Sequence, residues 1–174
     1  MPIAEAALTG VERTFDADEF IVSKTDLKGR ITYANRVFLR IADYTEDEVL
    51  GQPHSIIRHP HMPRCVFQLL WERIQAGREI FAYVVNAAKN GDHYWVIAHV
   101  TPSFDGDNKV AGFHSNRRRP SPKQISAIKP VYDALLTEEK RVEDRRAGLA
   151  ASSALFKQML EKKGVEYDAF VLSI

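Results

Sequence analysis

Asn90-Gly91 stands between two long runs rich in β-branched and aromatic residues, 79–88 and 93–104, and commits this part of the chain to an antiparallel hairpin. A third strand-like run, 109–116, follows the longer turn Asp105-Gly106-Asp107-Asn108, so three strands form a meander. Upstream, 19–26 and 30–33 flank Lys28-Gly29 and read as a second hairpin. Short helices separate the two groups of strands. Asn35 is placed to cap a helix in which Val37, Phe38 and Ile41 share a face, and Thr45 with Glu48 forms a capping box closed by Gly51. Residues 52–63 hold three prolines and three histidines, too much proline for a long helix. From Pro63 an apolar stripe of Val66, Phe67, Leu70, Trp71 and Ile74 predicts a helix ending near Gly77. Two strands, several short helices and three strands give an α+β domain on one five-stranded antiparallel sheet.

The remaining length needs a second role. The chain has 174 residues, room for one good core and an appendage. Residues 1–18 show no clear period and predict a mobile cap or short helix, and 19–120 hold the α+β domain. Residues 121–174 predict a helical extension for dimerisation or partner docking. In it Ile125, Ile128, Tyr132 and Leu135 share a face that Pro130 is expected to kink or interrupt. A second stripe of Leu149, Phe156, Met159 and Leu160 ends at Lys162-Lys163-Gly164, a helix C-terminus signal. The charged stretch 138–146 between them reads as a solvated helix face.

Composition narrows the function. With 24 Lys and Arg against 23 Asp and Glu, the net charge of +1 does not call for a nucleic-acid partner. Arg117-Arg118-Arg119, the one basic cluster, reads as a solvated strand end. The single cysteine, Cys65, cannot close an internal disulfide; this fits a reducing cytoplasm and a packing role. No apolar run reaches the roughly 18 residues that span a bilayer, so contact with a membrane is expected only through another protein. No nucleophile elbow, Walker loop or Cys-His signature is present, and the expectation is a sensor, not an enzyme. His59 and His61, flanked by prolines, offer imidazoles to a metal or a haem iron, alongside a purely structural reading.

Three strings occur in order: Ile31-Thr32-Tyr33-Ala34-Asn35, Arg58-His59-Pro60-His61-Met62-Pro63 and Asn90-Gly91-Asp92-His93-Tyr94-Trp95-Val96. Together they make the chain resemble the PAS domain family, in particular the flavin-binding PAS domains of bacterial aerotaxis and energy-taxis receptors. The resemblance covers about 19–120. It implies a five-stranded antiparallel sheet curled, with short helices, around a cofactor cleft, with FAD as the cofactor. Carried over by position, Arg58 and His59 match residues of flavin retention, and Asn35, Trp71 and Asn86 match positions around the pocket. His61 stands where the family has an acidic residue, and Ile80 where it has a tryptophan.

A guanidinium such as Arg58 suits a pyrophosphate, Trp71 suits a ring system or simply the core, and the Asn86 amide offers a donor and an acceptor. The implied function is a cytoplasmic redox or oxygen-linked sensor, the free-standing PAS half of a two-protein receptor. It would form a homodimer and report to a membrane-bound chemotaxis transducer. The alternatives are a haem-binding PAS gas sensor, with His61 or His59 as axial ligand, and a cofactor-free PAS dimerisation module.

Overall fold

A computed structural model describes Ala4 and residues 7–174. Its elements run β1 (Ile21–Thr25), β2 (Ile31–Ala34), α1 (Arg36–Ala42), α2 (Glu46–Val49), a 3-10 turn (His54–Ile57), α3 (Arg64–Gln75), β3 (Ile80–Ala87), β4 (His93–Phe104), β5 (Val110–Arg118), α4 (Pro122–Lys140), α5 (Arg145–Lys163) and α6 (Tyr167–Ser173). The five strands form one antiparallel sheet in the order β2-β1-β5-β4-β3, so the two hairpins join where β1 pairs with β5. The expected α+β architecture is therefore present.

Local chemistry accounts for the boundaries. The Asn35 side chain accepts from the Phe38 N–H and starts α1, and Thr45 and Glu48 form the capping box of α2. Gly91 sits at φ 95° in the β3–β4 turn, where a Cβ would also strike the Ala7 carbonyl oxygen at 2.0 Å. Gly164, at φ 66°, ends α5.

Side chains alternate across the sheet. The register places Ser23, Val84, Asn86, Ala98, Val100, Phe113, Ser115 and Arg117 on one face, toward α3 and the 3-10 turn. Trp95, Ile97 and His99 point to the other. The inner core is completed by Phe38, Ile41, Ile57, Val66 and Ile74, all buried.

Several expectations change in the folded chain. Residues 1–3, 5 and 6 of the N-terminal cap lie outside the described residues; the rest of the cap is mainly irregular, with one bridge at Glu12, and is tied to the β3–β4 hairpin. Thr9 N–H donates to the Gly91 carbonyl at 3.0 Å, Glu12 bridges to His93, Arg13 pairs with Asp92 at 3.2 Å, and Phe15 is buried. Pro130 does not interrupt α4, which runs on to Lys140. The charged stretch 138–146 is not one helix face: it contains the α4–α5 junction, and Glu139 points inward, buried, to accept from the Arg64 backbone N–H, the Arg64 side chain and Ser152.

The C-terminal helices fold back against α3 and the free edge of β3. On an edge strand, alternate carbonyls point away from the sheet and need donors. The hydroxyls of Tyr132 in α4 and Tyr167 in α6 supply them, donating to the carbonyls of Tyr83 at 2.5 Å and Phe81 at 2.8 Å. Tyr132 also stacks on Trp95, and an Arg73–Asp168 ion pair ties α6 to α3.

Candidate functional site

Between the inner sheet face and the helical wall lies a cavity of about 320 Å³. Its size falls at the lower end of small-molecule sites, room for a flat aromatic ligand with its remainder leaving through the mouth. Val84, Ala98, Val100 and Phe113 of the sheet face Phe67, Leu70, Trp71 and Ile74 of α3 across it. Trp71 meets Phe113 edge to face, with ring centroids 5.6 Å apart. Gly29, at φ 75°, lies beneath the indole, and a Cβ there would come within 2.9 Å of Trp71.

The polar groups are unevenly charged. Among the described residues lining the cavity, Lys28, Arg58 and Arg117 are basic and none is Asp or Glu. Arg58 follows the 3-10 turn, forms an isolated bridge with Asn86 at the β3 edge, and lays its guanidinium 4.0 Å from the Phe67 ring centroid. Its Nε is buried with no hydrogen-bond partner. Burial lowers the pKa of Arg58, opposed by the charge of Glu139.

Arg117 reaches the cavity from β5 and is 2 % exposed. Its Nη2 donates to Ser23 Oγ and its guanidinium lies 5.3 Å from the Phe38 ring centroid, while Nε and Nη1 have no hydrogen-bond partner. Desolvation lowers its pKa to about 10, so it remains a cation at neutral pH. Ser23 Oγ is also 3.0 Å from His54 Nε2. Desolvation first, then the charges of Arg117 and Arg58, lower the His54 pKa to about 3 and keep this imidazole neutral.

A family model described as the PAS fold matches residues 31–116. The chain is 41% identical over 118 residues to the aerotaxis receptor of Escherichia coli (strain K12), covering 68% of this chain and 23% of the receptor. The chain belongs to the PAS family. To the nitrogen fixation regulatory protein of Klebsiella pneumoniae it is 26% identical over 97 residues, 56% of this chain and 20% of that protein. The chain thus spans about a fifth to a quarter of the length of these two relatives. A solved light-oxygen-voltage domain, studied with a flavin analogue, shares the fold with a TM-score of 0.55 at 21% identity, covering 66% of this chain and 86% of that domain.

The PAS domain separates the six residues singled out from sequence. Arg58, Trp71 and Asn86 line the cavity. Asn35, His59 and His61 do not. Asn35 clamps β1 to α1: its Oδ1 accepts from Val22 and Phe38 at 3.0 and 2.9 Å, and its Nδ2 donates to the Phe20 carbonyl at 2.8 Å. His59 Nδ1 accepts from the His61 N–H at 3.1 Å, and the His59 ring lies 5.0 Å from that of His61 and 5.9 Å from that of His93. Neither histidine offered as a haem ligand is among the residues lining the cavity. Among the described residues no group of three or more His, Cys, Asp or Glu is placed to hold a metal ion, and no helix is long and apolar enough to cross a membrane.

Sequence reasoning missed Ser23, His54 and Arg117. The available signal was period two in β5, where Phe113, Ser115 and Arg117 share a face; the run of three arginines masked it. Arg117 is not part of a solvated strand end, because its pairing with Ala98 and Ile21 turns it inward.

Proposed function

We propose that this PAS domain binds FAD in the cavity and acts as a redox sensor for a chemotaxis-type transducer. One observation carries the reading: an aromatic-walled cavity faces the Asn86 amide and two guanidinium groups in which Arg58 Nε and Arg117 Nε and Nη1 are buried without partners. Buried donors are ordinarily satisfied, so such nitrogens favour a ligand rich in acceptors or negative charge. FAD combines a planar ring with carbonyl oxygens and a pyrophosphate, and the likeness to the aerotaxis receptor supports the same choice.

Bound flavin would supply a ring whose charge and hydrogen-bonding pattern change on reduction. The chain's own groups can respond to that change. The Asn86 amide presents either a donor or an acceptor to the cavity. Asn86 and Tyr83 share strand β3, so a shift of the strand at the cavity reaches the Tyr83 carbonyl and, through the Tyr132 hydroxyl, α4. We assign output to residues 121–174, which would carry the homodimer contact or dock on a membrane-bound transducer from the cytoplasm.

The absorption spectrum of the purified chain tests the reading. Flavin bands at about 375 and 450 nm are expected, with FAD released on denaturation and depleted in Arg58→Ala. A Soret band, or no uptake of added FAD, would overturn it.

A further inference from the structure

Ser23, His54 and Arg117 form a second polar cluster in the cavity, on the sheet side, absent from the residues singled out by sequence. Ser23 Oγ accepts from Arg117 Nη2, which leaves the hydroxyl proton for His54 Nε2 at 3.0 Å. That arrangement selects the neutral imidazole protonated on Nδ1. The cluster therefore holds one full positive charge, with no carboxylate among the lining residues to balance it. Two of the three guanidinium nitrogens, Nε and Nη1, are buried and unpartnered.

A buried, unpaired cation is costly, and a negative charge brought beside it relieves part of that cost. A neutral ligand of the same shape relieves less. We propose that Arg117, supported by Ser23 and His54, is the charge-selecting residue of the cavity: it makes the site prefer an aromatic ligand in its anionic state over the neutral state of the same ring. For the FAD of the proposed function, on which this application rests, the neutral oxidised ring takes up two electrons from a donor and one proton from water, leaving one net negative charge. Arg117 then stabilises the product more than the reactant. Its role is to set how readily the sensor is reduced.

Two measurements on the full chain test this and separate it from the flavin reading. In the first, wild type, Arg117→Lys and Arg117→Gln are loaded with FAD and titrated with dithionite, which supplies the electrons and is oxidised to sulfite. Arg117→Gln is expected to reduce the ratio of reduced-state to oxidised-state affinity at least tenfold, a fall of ~30 mV for a two-electron couple, with Arg117→Lys in between. Flavin-loaded Arg117→Gln with an unchanged ratio overturns the proposal.

The second measurement needs no flavin. Binding of 8-anilinonaphthalene-1-sulfonate is compared with that of its uncharged parent, N-phenyl-1-naphthylamine, in the wild type and both variants. A wild-type preference of tenfold or more for the anion, lost in Arg117→Gln, supports charge selection even where FAD fails to bind and the flavin reading falls. Equal affinity for the two probes in the wild type overturns it, whether or not Arg117→Gln folds.

Discussion

The Tyr132 hydroxyl in α4 donates to the Tyr83 carbonyl at 2.5 Å, three residues along β3 from Asn86 in the cavity. The contact satisfies an edge carbonyl that another strand would otherwise claim, so the C-terminal helices protect the sheet as well as touching it. Tyr132→Phe keeps the stacking on Trp95 but leaves the carbonyl without its donor, a loss of about 1–3 kcal/mol. Urea unfolding should show that loss, and hydrogen exchange should quicken in α4 before the inner strands. Unchanged exchange in α4 would remove Tyr132 from the link.

Gly148 in α5 lies where a Cβ would stand 2.4 Å from the Glu139 carbonyl oxygen of α4. Backbone cannot yield as a flexible side chain can, so Gly148→Ala should force the helices apart. A cost of roughly 1–3 kcal/mol is expected, with faster proteolysis at 141–144, between α4 and α5. A variant as stable and protease-resistant as wild type would contradict this tight crossing.

His54 makes the fold sensitive to acid. Its folded pKa of about 3 lies below the ordinary 6.5, so between these values the unfolded chain binds a proton that the folded chain does not. Stability from this group is present above pH 6.5 and is lost as pH falls toward 3, at up to about 1.4 kcal/mol per pH unit. Urea midpoints measured from pH 7 to pH 4 should fall less steeply in His54→Gln than in wild type. Parallel curves would rule out His54 as the source.

Trp71 depends on the absence of a side chain at Gly29. Gly29→Ala adds a Cβ 2.9 Å from the indole at a backbone φ of 75°, which costs about 1 kcal/mol and displaces the ring. Retention of the FAD proposed for this cavity should drop severalfold through gel filtration while the far-ultraviolet circular dichroism stays native. Full retention would argue that the indole position does not shape the site.

Much of the fold is legible because its signals are local. Asn90-Gly91 marks a turn through the backbone conformations those residues tolerate, and Asn35, Thr45 and Glu48 mark helix starts by hydrogen bonds that span three residues. The same locality explains part of the site: Trp71 belongs to an apolar helical stripe and Asn86 to the end of a strand. Asn35 shows the limit, since its three hydrogen bonds tie β1 to α1 and draw its side chain into the framework.

Sequence alone determined the order of strands and helices, the change of character after Pro120 and the resemblance to PAS domains. Tertiary structure decided which charged groups are buried. Arg117 sits among three arginines, and only the register of β5 against β1 and β4 turns the first of them into the cavity. Glu139 lies in a stretch of alternating charge, and only the packing of α4 and α5 against α3 brings it to Arg64. A side chain's charge is written in the sequence, but its access to water depends on distant segments, and here that access separates a surface cation from one that shapes a binding site.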